Sequence, residues 1–183
     1  FGDFNGIFND LHLFEKIEAP VYFEYWDSPD KASYSAVAGM QVTGSTGKFR
    51  PQKPFRLYAR DKYDYEEFDY NFFDSPKPMA YQKLWLRTAS SDLNGSLIRD
   101  YLMNELMMNS TSLAPPRAKP CLVYINGDYH GIYFLKEYID EEFLETKYKI
   151  DENSVNLLEN AGTAKNGTPK AYDDMVNYLK NID

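Results

Sequence analysis

Apolar and polar positions alternate along the first half of the chain in short runs, each closed by turn-forming residues. Ala19–Trp26 (APVYFEYW) is dense in β-formers and stops at the turn cluster DSPDKAS. Ala36–Gly44 (AVAGMQVTG) is a second strand, followed by the polar and basic loop STGKFRPQ. Lys53–Arg60 (KPFRLYAR) alternates, with Lys53, Phe55, Leu57 and Ala59 on one face and Arg56, Tyr58 and Arg60 on the other. Residues 61–80 read as an aromatic and acidic connector, and Tyr81–Thr88 (YQKLWLRT) as a further strand.

The period then changes from two to 3.6. Leu93–Asn109 is predicted helical, with Ser91 and Asp92 as cap candidates and an apolar stripe of Leu97, Ile98, Tyr101, Leu102 and Leu106. Beyond the Pro115-Pro116 break, Cys121–Ile125 and Gly131–Glu137 make a hairpin turned at Asn126-Gly127, residues that accept positive φ. Asp140–Tyr148 starts a short helix, Asn153–Asn160 is a candidate strand and Ala161–Lys170 a loop. Ala171–Asp183 is an amphipathic helix. The fold class is α+β, an antiparallel sheet with one long helix packed on it and helical material after it, read as a single domain over residues 1–183.

Composition narrows the function. The net charge is −8 over 183 residues, which argues against a nucleic-acid binder, since phosphate backbones require a basic face. Aromatics reach 16%, with 16 Tyr and 12 Phe, as suits strands and cleft walls. The single Cys121 excludes an internal disulfide framework, and its apolar run reads as a buried, inert thiol. No run is long enough to span a membrane. The chain opens on Phe1 rather than Met, as expected of a trimmed or processed chain that has lost any targeting segment. His12 and His130 are distant from each other, read as ordinary polar residues, and suggest no metal site.

Two charges interrupt the apolar pattern. Lys53 shares a face with Phe55 and Leu57, and Glu105 falls four residues after Tyr101 within the helical stripe. A carboxylate there requires a cation, so a Lys53–Glu105 pair is expected, either as a structural bridge or as part of a site. The loop Thr43–Lys53 carries Gly44, Gly47, several hydroxyls and the cations Lys48, Arg50 and Lys53. It reads either as a phosphate cradle or as a solvated turn, and it matches neither a Walker loop nor a dinucleotide fingerprint.

The runs RPQKPFRLYAR, LWLRTASSD, LIRDYLMNEL and YINGDYHGIYFLKEYID occur in the order and spacing of the CotH family, spore-coat-type proteins with an atypical protein-kinase fold. The resemblance covers Ala19–Glu159, and the segment from Asn126 to Asp140 is its most specific part. It implies a kinase-like N-lobe over 19–137, and a hinge helix with the start of a C-lobe over 138–183. It also implies a nucleotide site drawing on Lys48, Arg50, Lys53, Glu105 and Glu137, used with ATP and Mg²⁺ or Mn²⁺. The activity implied is phosphorylation of Ser or Thr on a cell-surface or coat protein by an exported bacterial enzyme. A non-catalytic surface or coat scaffold that keeps the fold is the alternative. Nothing after Glu159 carries the family's catalytic and metal-binding aspartates, so this chain alone is expected to be inactive as a kinase. The chain also departs from the pattern in reading Lys53-Pro54, and Ser45-Thr46-Gly47-Lys48 in place of an Arg-rich loop.

Overall fold

The structure, a computed structural model, describes residues 15–89, 92–111, 115–160 and 162–182. His12 and Ser91 therefore lie outside the described residues. The chain divides after Tyr138 into two compact units.

In the first unit the period-2 runs form β1 (Glu18–Tyr25), β2 (Tyr34–Val42), β3 (Phe55–Tyr58), β4 (Lys83–Arg87), β5 (Ala118–Ile125) and β6 (Asp128–Glu137). All neighbours pair antiparallel, in the order β1-β2-β3-β4-β6-β5. Register separates two faces. Val42, Phe55, Leu86 and Leu135 stand opposite one another in one row, and Met40, Leu57 and Leu84 in the next. All seven are buried and form the core face. The other face carries the row Gln41, Arg56, Trp85, Lys136, with Arg87 and Phe134 beside it. This face is polar and cationic.

The aromatic connector closes the core. Phe68 and Phe72 are both fully buried, and Phe72 lies within 5.0–6.3 Å of the rings of Phe23, Tyr25, Tyr34, Tyr70 and Tyr81. The sheet curls around these rings until its two edges meet. Lys119, on edge strand β5, reaches Asp27, just beyond edge strand β1, at 3.3 Å and Asp74 of the connector at 2.9 Å. Cys121, on the core face, is half-buried, and burial pushes its thiol up to about 11, in keeping with an inert sulfur.

The long helix departs from the sequence reading. Helix α1 spans Arg99–Ser110, not Leu93–Asn109, because the chain first makes a turn in which Leu97 adopts φ 67°. Asp92 organises that turn. Its carboxylate accepts from Ser96 N at 3.2 Å, Ser96 Oγ at 2.8 Å and Arg99 N at 3.2 Å, so it caps the first helical amide from seven residues upstream. The apolar stripe is also corrected, since Ile98, Leu102 and Leu106 are exposed. Tyr101, Asn104, Glu105 and Met108 form the half-buried side instead. The helix packs on the cationic face, where Tyr101 stacks on Phe134 at 5.4 Å, and a charged sheet surface is better met by Asp100 than by leucines.

Asn126 and Gly127, with φ 53° and 88°, make a two-residue turn. Asp128–His130 join β6 rather than lengthening the loop, and the offset is absorbed by a register shift between Val123 and Tyr124.

The second unit contains α2 (Glu141–Tyr148), capped by Asp140 accepting from Phe143 N at 3.0 Å. A small antiparallel pair, β7 (Leu157–Glu159) and β8 (Thr163–Asn166), follows. Part of the expected loop at 161–170 is thus a strand. Helix α3 spans Lys170–Lys180.

Candidate functional site

The loop between β2 and β3 folds back over β4. Thr43 N bonds to Pro54 O at 3.0 Å, closing the loop at its base, and Gly44 takes φ 95°, a conformation that favours glycine. Inside the loop, Lys53 is buried and its ammonium donates to the carbonyls of Lys48 at 3.0 Å and Arg50 at 3.3 Å. Lys53 therefore pins the loop. Lys48 lies half-buried at 5.2 Å from the Phe49 ring centre, and Arg50 is exposed.

Beneath this loop is a cavity of about 300 Å³, lined by Gly44, Ser45, Thr46, Gly47 and Pro54 above and by Trp85, Arg87 and Thr88 of the β4 region below. The floor is unusual in its hydrogen bonding. Thr88 is 2% exposed and its Oγ1 has no partner, and the buried Trp85 Nε1 and Arg87 Nε also have none. Arg87 Nε lies 3.2 Å from Asp100 Oδ2, an ion-pair contact without hydrogen-bond geometry. Buried donors left without acceptors are rare because each forfeits its hydration. Three of them belong to residues that line one cavity, with the atoms themselves closed to water, so an acceptor-rich group would reach them only once the loop or the side chains shift.

Charge favours an anion. Lys136 is nearly buried and pairs with Asp100 at 2.8 Å, and the same carboxylate serves Arg87. Burial holds the Lys136 ammonium below its ordinary range, and Asp100 opposes that shift. Cation–π contacts order the surroundings, with Arg87 at 4.9 Å from the Trp85 ring centre and Arg56 at 3.7 Å from that of Tyr138.

The residues singled out from sequence are distributed differently. No ion pair joins Lys53 to Glu105 among the described residues. Lys53 is in phase with Phe55 and Leu57 on the core side, while α1 lies against the opposite face, so the sheet separates them. Strand lysine and helix acid do pair, but as Lys136 and Asp100. Glu105 is half-buried on α1. Glu137 is 1% exposed on the core face, where it accepts from Arg117 N at 2.9 Å and lies 3.4 Å from Tyr81 Oη. It anchors the end of the hairpin. His130 stacks on Tyr133 at 6.1 Å, and burial pushes its pKa down. Of the five residues, Lys48, Arg50 and Lys53 share the loop over the cavity, whereas Glu105 and Glu137 lie elsewhere.

Trp85, Arg87 and Thr88 escaped the sequence reading because WLRT reads as an ordinary half-buried strand. Their signal was Trp85 and Arg87 on one strand face with Thr88 just beyond it, which gains meaning only once the glycine loop is known to cover them. No helix among the described residues is long and apolar enough to cross a membrane, and none of their His, Cys, Asp and Glu side chains form a group of three able to hold a metal ion. No curated protein sequence matches the chain. The family model described as CotH kinase protein matches residues 40–182. That span starts within β2, later than the resemblance at Ala19 suggested, and continues past Glu159 through α3. The chain belongs to the CotH kinase family.

Proposed function

We propose that the chain binds the phosphates of ATP between the Thr43–Gly47 loop and β4, as the nucleotide-holding part of a CotH-type phosphotransferase acting on Ser or Thr of an extracytoplasmic surface or coat protein. The observation that carries this reading is the cavity under a glycine-bearing loop, whose lining residues Trp85, Arg87 and Thr88 each hold a buried donor without an acceptor. Phosphate oxygens would supply the missing acceptors once the lining side chains turn toward them.

The order of elements supports the same reading. In protein kinases the phosphate-holding lysine stands on the strand before the regulatory helix and pairs with a glutamate of that helix. Here the strand before α1 is β4, and of its two cations Arg87 is the one that pairs with a helix acid, Asp100. On this reading Arg87 takes the place in the site that the family resemblance implied for Lys53. Lys53 positions the loop through the Lys48 and Arg50 carbonyls, and the exposed Arg50 would meet the outer phosphate oxygens.

The donor set fits a nucleotide's phosphates. The described residues offer no grouped set of metal ligands, so no step is assigned to a divalent ion here. What these residues accomplish is binding and orientation. They offer phosphate oxygens donors that come within reach as the loop and the β4 side chains adjust to the ligand.

Calorimetric titration of the chain with ATP and Mg²⁺ tests this. Binding is expected for the unaltered chain, with a loss of about tenfold or more for Arg87→Ala and a smaller loss for Thr88→Val. Lys53→Ala should weaken binding only through a loosened loop. Unchanged affinity in both the Arg87 and Thr88 variants would contradict the assignment.

A further inference from the structure

Strand β6 is ten residues long, but β4 pairs only with its last four, Phe134–Glu137. Among the described residues, the part before Phe134 has β5 alone as a strand neighbour. The loop between β2 and β3 comes to this part of the strand. Gln52 Nε2 donates to Ile132 O at 2.7 Å, and the Tyr133 hydroxyl donates to Lys53 O at 2.9 Å. Two neighbouring loop residues are thus bonded to two neighbouring strand residues eighty positions later in the chain.

The strand is shaped for this contact. Gly131 takes φ 124°, and a Cβ there would lie 2.5 Å from Gln52 Nε2. Tyr133 is fully buried, with its ring 5.3 Å from that of Phe55 and 6.1 Å from that of His130, so its hydroxyl is held at a fixed point. Both residues belong to Asn126–Asp140, the stretch most specific to the family resemblance, and the phosphate reading uses neither.

The two limbs of the loop are held differently. The limb from Lys48 to Lys53 is tied by the Lys53 ammonium to the Lys48 and Arg50 carbonyls, and by Gln52 and Lys53 to β6. The limb that lines the cavity, Gly44–Gly47, is bonded to the tied limb through Phe49 N on Thr46 O at 3.2 Å and Arg50 N on Gly47 O at 3.0 Å. Its two glycines give it conformational freedom. The buried donors of Trp85, Arg87 and Thr88 are closed to water, so a ligand reaches them by a shift of the loop or of these side chains.

We infer that Gln52 and Tyr133 are positioning residues for the phosphate site. They fix the Lys48–Lys53 limb to β6, so that Gly44–Gly47 shifts alone and settles back over the bound phosphates. Neither residue lines the cavity; each acts through the loop. The inference rests on the phosphate-binding reading above and gives the hairpin β5–β6 a part in that site.

The test pairs calorimetric titration of the 183-residue chain with ATP and Mg²⁺ with amide hydrogen exchange of the ligand-free chain. Tyr133→Phe keeps the ring and removes one donor, and Gln52→Met keeps the length and removes the other. Each should weaken ATP binding by about threefold or more and quicken exchange at the Phe49 and Arg50 amides by a similar factor, because one net hydrogen bond to the loop is lost. Exchange in Phe134–Glu137 should stay as it is. Gly127→Ala, in the turn of the same hairpin, strains β5–β6 without touching the loop and should change neither readout. Unchanged affinity in both variants overturns the inference, whether or not loop exchange quickens. So does a loss that Gly127→Ala reproduces, or one accompanied by faster exchange along β6 rather than in the loop. Should Tyr133→Phe fail to fold by circular dichroism, Gln52→Met decides. Failure of the unaltered chain to bind ATP overturns the phosphate reading itself, a result distinct from binding that both variants leave intact.

Discussion

Asp100, in the first turn of α1, lies 2.8 Å from the ammonium of Lys136, whose side chain is 7% exposed on β6. This contact fixes the helix to the cationic face of the sheet and holds Arg87 beside the cavity floor. Removing the carboxylate leaves a buried cation unpaired. Because the Asp100 side chain is itself 48% exposed, the cost is well below that of a fully buried pair. Asp100→Ala is expected to destabilise the chain by about 1–3 kcal/mol in urea unfolding, and Lys136→Met to stay within about 1 kcal/mol of the unaltered chain. The double variant should recover most of the loss. Equal losses in the two single variants would show that the pair does not hold the helix in this way.

The hairpin turn gives a purely conformational test. A Cβ on Gly127 meets nothing within 4 Å, yet the residue has φ 88°. Gly127→Ala should therefore cost about 1 kcal/mol from backbone strain alone, with Asn126→Gly close to neutral. A neutral Gly127→Ala in urea unfolding would mean that the turn is not of this kind.

Acid should weaken the first unit through three carboxylates. Burial alone would raise Glu18, but Lys62, Tyr63 and Arg60 outweigh it and hold the group below its ordinary 4.5. The Tyr70 hydroxyl, with help from Tyr25 and Lys119, holds Asp27 below 3.8. Burial would raise Asp92 as well, but Ser96 and Arg99 keep it below 3.8. Each group binds its proton less readily when folded. The stability it contributes is therefore complete above the ordinary value and is lost as pH falls through the lowered one. Melting temperature should be level down to about pH 5 and fall below about pH 4. Replacing all three by the corresponding amides should flatten that limb, and an unchanged limb would contradict these contacts.

Much of the fold was legible in local pattern. Period-2 alternation located β1 to β4, and Asn126-Gly127 located the hairpin, because both signals are decided within a few residues. The start of α1 was not, because Asp92 bonds Ser96 and Arg99 in a turn that no periodicity announces. The stripe of Leu97, Ile98, Leu102 and Leu106 misled for a different reason. Which side of a helix is buried depends on the surface that it meets, and this surface carries Arg87 and Lys136. The Lys53–Glu105 pairing failed by parity, since a residue in phase with Phe55 cannot meet a helix on the Arg56 side. Trp85, Arg87 and Thr88 were hidden because the loop that covers them comes from about forty residues earlier in the chain, across a strand pairing that sequence does not display.

The chain has two tryptophans, which makes its central claim directly readable. Trp85 lines the cavity and its Nε1 is a buried donor without a partner, whereas Trp26 is 47% exposed just beyond β1, outside the cavity lining. In a proton–nitrogen correlation spectrum of the labelled chain, ATP with Mg²⁺ is expected to move the Trp85 indole resonance to the position of a hydrogen-bonded N–H, leaving that of Trp26 in place. Trp85→Phe assigns the peak, and Arg87→Ala should suppress the shift at the same ATP concentration. A Trp85 indole signal that stays fixed at ATP concentrations saturating the calorimetric binding would place the phosphates elsewhere and contradict the account.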